Sequence, residues 1–101
     1  MIRHIVSFHF LDEAEGRSKL ENMKLAKEGL EALPQEIPFI RATTVYLGIP
    51  DEDPSRYDLT LISDFDNKED LEAYVVHPAH KKFGEFMKKV RDGRVRVDVE
   101  L

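Results

Sequence analysis

No cysteine occurs in the 101 residues of this chain. Disulfides, thiolate nucleophiles and cysteine-bearing zinc sites are therefore excluded. A basic excess is also missing: 15 Lys and Arg stand against 20 Asp and Glu, a net charge of −5. Phosphate affinity rests on clustered cations, so this balance argues against nucleic acid or an anionic membrane as partner. No apolar run approaches the ~20 residues that a membrane helix needs. The opening MIRHIVSFHF has no small-residue cleavage site and reads as a strand rather than a signal peptide. A cytoplasmic location is expected. No glycine-rich loop follows a strand, which removes the usual phosphate cradle. Ser7, Ser18, Ser55 and Ser63 stand in no nucleophile-elbow context. The acid pairs Glu13/Glu15 and Asp51/Asp53 fall in segments expected to be solvated, so they read as solubility rather than glycosidase carboxylates.

What is present is the periodicity of one α+β domain over residues 1–101, with 42% apolar residues. Ile2 to Leu11 alternates with period two, placing His4, Val6, Phe8 and Phe10 on one face of a strand. From Ser18 to Leu33 the period changes: Leu20, Met23, Ala26, Leu30 and Leu33 form one stripe of an amphipathic helix. Ser18 and Glu21 have capping-box spacing, and Pro34 is expected to stop the helix. Strands are expected over Phe39 to Leu47 and Tyr57 to Phe65, paired as an antiparallel hairpin. The exposed loop GIPDEDPSR joins them. Asp66 is the expected N-cap of a short helix over Asn67 to Val76. Pro78 breaks that helix at His77 and starts another running to about Arg91. Asp92-Gly93 is expected to turn the chain into a last strand carrying Val95, Val97 and Val99. The order β-α-β-β-α-β, with its second helix broken, is a ferredoxin-like arrangement of helices on one face of an antiparallel sheet. The other face, with Ile5 and Ile62, is too apolar for ordinary solvation and is expected to be covered in a sheet-to-sheet homodimer.

AYVVHPAHKKF is the chemically suggestive stretch. His77 and His80 flank a proline with HxxH spacing, but no third ligand accompanies them, so no metal and no cofactor is expected. His80 shares the inward stripe of Phe83 and Met87, whereas His77 falls at the junction as a cap. Tyr74 lies on the inward face of the preceding helix. Residues six apart on one continuous helix diverge by about 120°; the break at Pro78 permits Tyr74 and His80 to converge. His4 approaches from the first strand. An apolar pocket around the three would keep a histidine neutral, able to serve as a general base, with the phenol stabilising a developing enolate. The blander reading is three buried polar groups that hydrogen-bond one another and fix the helix junction.

The segments RHIVSFHF, YDLTLISDFDNKEDLEAYVVHPAHKKF and RVRVDVE resemble the stress-responsive α/β-barrel (Dabb) family over nearly the whole chain. The resemblance implies a dimer whose two sheets close into a barrel. Most bacterial members have no established activity, and the plant members include stress-induced proteins and a polyketide cyclase. In the cyclase branch a tyrosine and a histidine carry an intramolecular aldol condensation. Those positions fall on Tyr74 and His80, and His4 matches a pocket histidine. A further pocket histidine of that branch is Leu59 here. The leading expectation is a dimeric protein with a small apolar pocket lined by His4, Val6, Phe8 and Leu59 from the sheet, and by Tyr74, His80 and Phe83 from the helices. It would take a small apolar or carbonyl ligand. Alternatives are a cofactor-free cyclase-type enzyme using His80 and Tyr74, and a monooxygenase-like member of the wider dimeric α+β barrel group.

Overall fold

Alternation in the first strand becomes burial in a computed structural model that describes residues 1–50 and 52–101. In β1 (Ile2–Phe10) the side chains of His4, Val6, Phe8 and Phe10 are buried, while Arg3, Ile5, Ser7 and His9 are half-buried on the other face. Three further long elements follow: α1 (Lys19–Glu36), β4 (Ala42–Leu47) and β5 (Leu59–Phe65). Between β1 and α1 the chain makes a small hairpin of β2 (Glu13–Ala14) and β3 (Arg17–Ser18), turned by Glu15 and Gly16 at φ 55° and 73°. Two successive left-handed residues suit a two-residue hairpin turn, and Gly16 adopts that region at no steric cost. The chain ends in α2 (Lys68–Val76), α3 (Pro78–Val90) and β6 (Arg91–Glu100).

The main sheet has the order β4-β5-β1-β6, antiparallel throughout. This is the ferredoxin-like fold. Helices cover one face, where Val6, Phe10, Leu59, Leu61 and Phe65 meet Ala26, Leu30, Leu33, Met87 and Val90 in one core. The uncovered face pairs Ile5 with Ile62 on one side and with Val97 on the other. Val95 and Val97 are each more than half exposed there, and so is Tyr46. Two polar pairs lie on this face: Arg3 grips Asp64 through two hydrogen bonds, at 2.9 and 3.1 Å, and Ser7 meets Thr60 at 2.8 Å.

Several boundaries differ from the expectation. Pro34 does not stop α1, which runs on to Glu36. A proline so near the end removes a single helical hydrogen bond. Burial of Ile37, whose N–H donates to the Leu33 carbonyl at 2.9 Å, draws the chain through a further turn. Leu20, expected inside, is 54% exposed; the buried first-turn residue is Asn22, held by Arg17 at 2.7 Å and by the Ala14 carbonyl at 3.1 Å. The N-cap of α2 is Asn67, which accepts from the Asp70 N–H, because Asp66 is gripped by Arg41. The β4 strand begins at Ala42 rather than Phe39, because Ile40 folds back onto the Ile37 carbonyl. Asp92-Gly93 is no turn: β6 begins at Arg91, and a register shift between His9 and Phe10 absorbs the change of direction. Of the acid pair Asp51/Asp53, Asp51 lies outside the described residues.

Candidate functional site

His77 ends α2 and caps α3. Its backbone is extended (φ −62°, ψ 137°), as a residue before proline prefers, and its Nδ1 accepts from the Ala79 N–H at 3.1 Å. Pro78 then occupies the first turn of α3. The kink redirects the next helix so that Tyr74 and His80, six residues apart, lie with ring centroids at 4.5 Å. His4 reaches the same cluster from β1, 5.8 Å from the Tyr74 ring, and Phe65 closes it at 5.0 Å from that ring. Tyr74 is 1% exposed and His4 2%. His77 is apart from this cluster, at the junction.

Hydrogen bonds fix where the histidine protons lie. His80 Nδ1 is 3.0 Å from the Val75 carbonyl, which only accepts, so Nδ1 carries the proton and donates. In the neutral ring Nε2 is then the lone-pair nitrogen. His4 Nδ1 likewise donates to the Asp98 carboxylate at 2.6 Å, and the other Asp98 oxygen takes Arg96 Nε at 2.9 Å. Burial pushes both imidazoles below the usual histidine value. The bond to Asp98 opposes this for His4 without overcoming it, since the ring is nearly dry. His4 and Asp98 are therefore a neutral imidazole donating to a carboxylate, rather than an ion pair. Burial raises the Tyr74 phenol to about 12, so it stays protonated. Among the described residues, no side chain or backbone group hydrogen-bonds to its hydroxyl.

These groups line a cavity of about 180 Å³. Its walls are Val6, Phe8, Leu30, Leu61, Phe83 and Met87, with Gly84 in the α3 wall. The exposed Lys88 and Arg94 and the half-buried Arg91 complete it. Of the residues expected at the pocket, His4, Val6, Phe8, Tyr74, His80 and Phe83 are brought together. Leu59 is not: it is buried two residues further along β5, opposite Phe8, while Leu61 opposite Val6 lines the space instead. The basic side of the cavity was not evident beforehand. Residues of β6 alternate arginine and valine, and only the register, with Arg94 opposite Phe8 and Arg96 opposite Val6, turns the arginines toward the helices. A larger open groove of about 770 Å³ lies beside Leu20, Leu47 and Ile49. Its Lys19 approaches Asp12 and Asp58 at 3.6 and 3.4 Å.

Comparison with known proteins gives a consistent family. The family model for the stress responsive A/B barrel domain (Dabb) matches residues 2–101. A dimeric protein of unknown function with a ferredoxin-like fold from Bacteroides fragilis is 34% identical, with a TM-score of 0.86, covering 99% of this chain and 95% of that one. At3g17210 from Arabidopsis thaliana shares the fold at 22% identity and TM-score 0.80, covering 100% and 95%. The hydroxynitrile lyase from Passiflora edulis does so at 15% identity and TM-score 0.76, covering 97% and 90%. No curated protein matches.

Proposed function

This chain belongs to the stress responsive A/B barrel domain (Dabb) family, and we propose that it is a homodimer that moves a proton on a small carbonyl compound held in the cavity of each protomer. His80 is the base. The observation that carries this reading is the bond from His80 Nδ1 to the Val75 carbonyl, which leaves Nε2 as the acceptor in a ring that lines the cavity. The step balances within the site: Nε2 takes the proton from a carbon next to a carbonyl, the ring becomes imidazolium, and the electron pair becomes an enolate. The Tyr74 hydroxyl, uncommitted to other described groups, donates a hydrogen bond to the enolate oxygen. Reversal returns a proton to carbon. The His4 ring, fixed by Asp98, packs against Tyr74 and orients it. Dimerisation through the outer sheet face is supported by the apolar row Ile5, Ile62, Val95 and Val97, and by relatives described as dimeric in Bacteroides fragilis and Thermobifida fusca.

The test is exchange of carbon-bound protons for deuterium in acetylacetone and related 1,3-dicarbonyl probes, followed by NMR. The wild type is expected to accelerate exchange saturably. His80→Ala is expected to lower the rate by about 10²–10⁴-fold, the usual contribution of a general base. Tyr74→Phe is expected to lower it less while the protein stays folded, because the hydroxyl has no hydrogen-bond partner to lose among the described residues. Exchange in His80→Ala equal to that of the wild type would overturn the proposal.

A further inference from the structure

On the solvent side of the cavity stand cations that no carboxylate among the described residues contacts. Acids outnumber bases by 20 to 15 in this chain, so an exposed arginine or lysine has carboxylates to choose from. Arg3 takes Asp64, Arg41 takes Asp66, Lys68 approaches Glu72 and Lys89 approaches Glu15. Lys88, Arg91 and Arg94 all line the cavity and, among the described residues, none of them makes an ion pair or a side-chain hydrogen bond. The acid next to them, Asp98, is already committed to His4 and Arg96. Three like charges on one rim repel one another. Partial burial, with the neighbouring Arg96 and Arg91 guanidiniums, holds Arg94 below its ordinary value, against the opposing pull of Asp98. An anion would relieve that repulsion. A guanidinium presents parallel N–H donors matched to the two oxygens of a carboxylate.

We propose that the ligand of this cavity is an oxo acid: its carboxylate pairs with Arg94, with Arg91 and Lys88 beside it, while its carbonyl lies between Tyr74 and His80. This rests on the proton-transfer reading for the carbonyl end and on the unpaired rim for the carboxylate end. The cavity of about 180 Å³ admits a small molecule with a short chain between the two ends.

Acetoacetate and its neutral methyl ester separate the two ends. Their C2 exchange rates are compared in wild type, Arg94→Gln and Arg94→Lys, each normalised to uncatalysed exchange, and their binding is followed by shifts of the His80 and Tyr74 ring signals. The wild type is expected to prefer acetoacetate by about tenfold or more in kcat/KM, the worth of a charge-assisted hydrogen bond. Arg94→Gln is expected to erase the preference by raising KM for acetoacetate toward that for the ester; Arg94→Lys restores part of it. Equal use of both probes by the wild type, or a preference that survives in Arg94→Gln, overturns the carboxylate site and leaves proton transfer by His80 standing. Binding of acetoacetate that is lost in Arg94→Gln, with no exchange of either probe, supports the carboxylate site and overturns proton transfer. Absence of acetoacetate binding at millimolar concentration overturns the carboxylate site.

Discussion

His4 and His80 are both buried, yet they are held differently. His80 leans on a backbone carbonyl, His4 on a carboxylate, and burial keeps both rings neutral. Depressed histidine values have a definite consequence for stability. Below the unfolded value of about 6.5 the unfolded chain takes up protons that the folded rings resist, so stability is fully present above that pH and declines as pH falls toward the folded values. Thermal unfolding between pH 7.5 and 5 is expected to show this decline, and His80→Gln is expected to flatten it; an equally steep decline in that variant would show that His80 does not titrate there. The cluster was partly legible in the sequence. The stripe His80, Phe83, Met87 and the proline after His77 point to convergence with Tyr74, because both are local rules of helix geometry. Arg94 was not legible, since an alternating strand shows that two faces differ but not which one meets the helices. Leu59 and Leu61 were confusable for a related reason: both lie on the inner face, and only the pairing with β1 decides which stands by the cavity.

Each helix carries its own signals, some local to one turn and some overruled by distant contacts. The capping box of Ser18 and Glu21 is present in full, because both partners lie within one turn. The cap of α2 was displaced by one residue, since Asp66 and Asn67 are equally able to cap and the choice depends on Arg41, distant in sequence. Pro34 was overrun because the burial of Ile37 is a tertiary effect. In α3 the glycine at position 84 lines the cavity, and a Cβ placed there meets nothing within 4 Å. Gly84→Ala is therefore expected to stabilise the protein by about 0.5–1 kcal/mol through helix propensity, while a larger side chain, as in Gly84→Leu, fills the cavity and abolishes probe binding. Chemical denaturation and NMR titration measure the two effects. Unchanged probe binding in a folded Gly84→Leu protein would place the ligand elsewhere.

At the scale of the whole molecule, the order of elements was legible because the hydrophobic period switches cleanly between two and 3.6 along the chain. The ferredoxin-like topology follows from that order. The identity of a ligand does not, because the rim that selects it is assembled from α3 and β6 by register. If the dimer forms through the sheet face as proposed, Ile62→Lys is expected to convert it into monomers in sedimentation at micromolar concentration, since an unpaired charge buried there would cost several kcal/mol; a wild-type monomer would contradict the assembly. The chemistry itself is tested most directly by the pH dependence of deuterium exchange in the wild-type protein. With a neutral His80 as base and a Tyr74 phenol protonated up to about 12, kcat/KM is predicted to be level from pH 7 to 9. It is predicted to fall on a single acid limb below the ordinary histidine value of about 6.5, and the limb is predicted to vanish in His80→Ala. A rate that keeps climbing through pH 9, or an acid limb that persists without the His80 ring, would contradict His80 as the base.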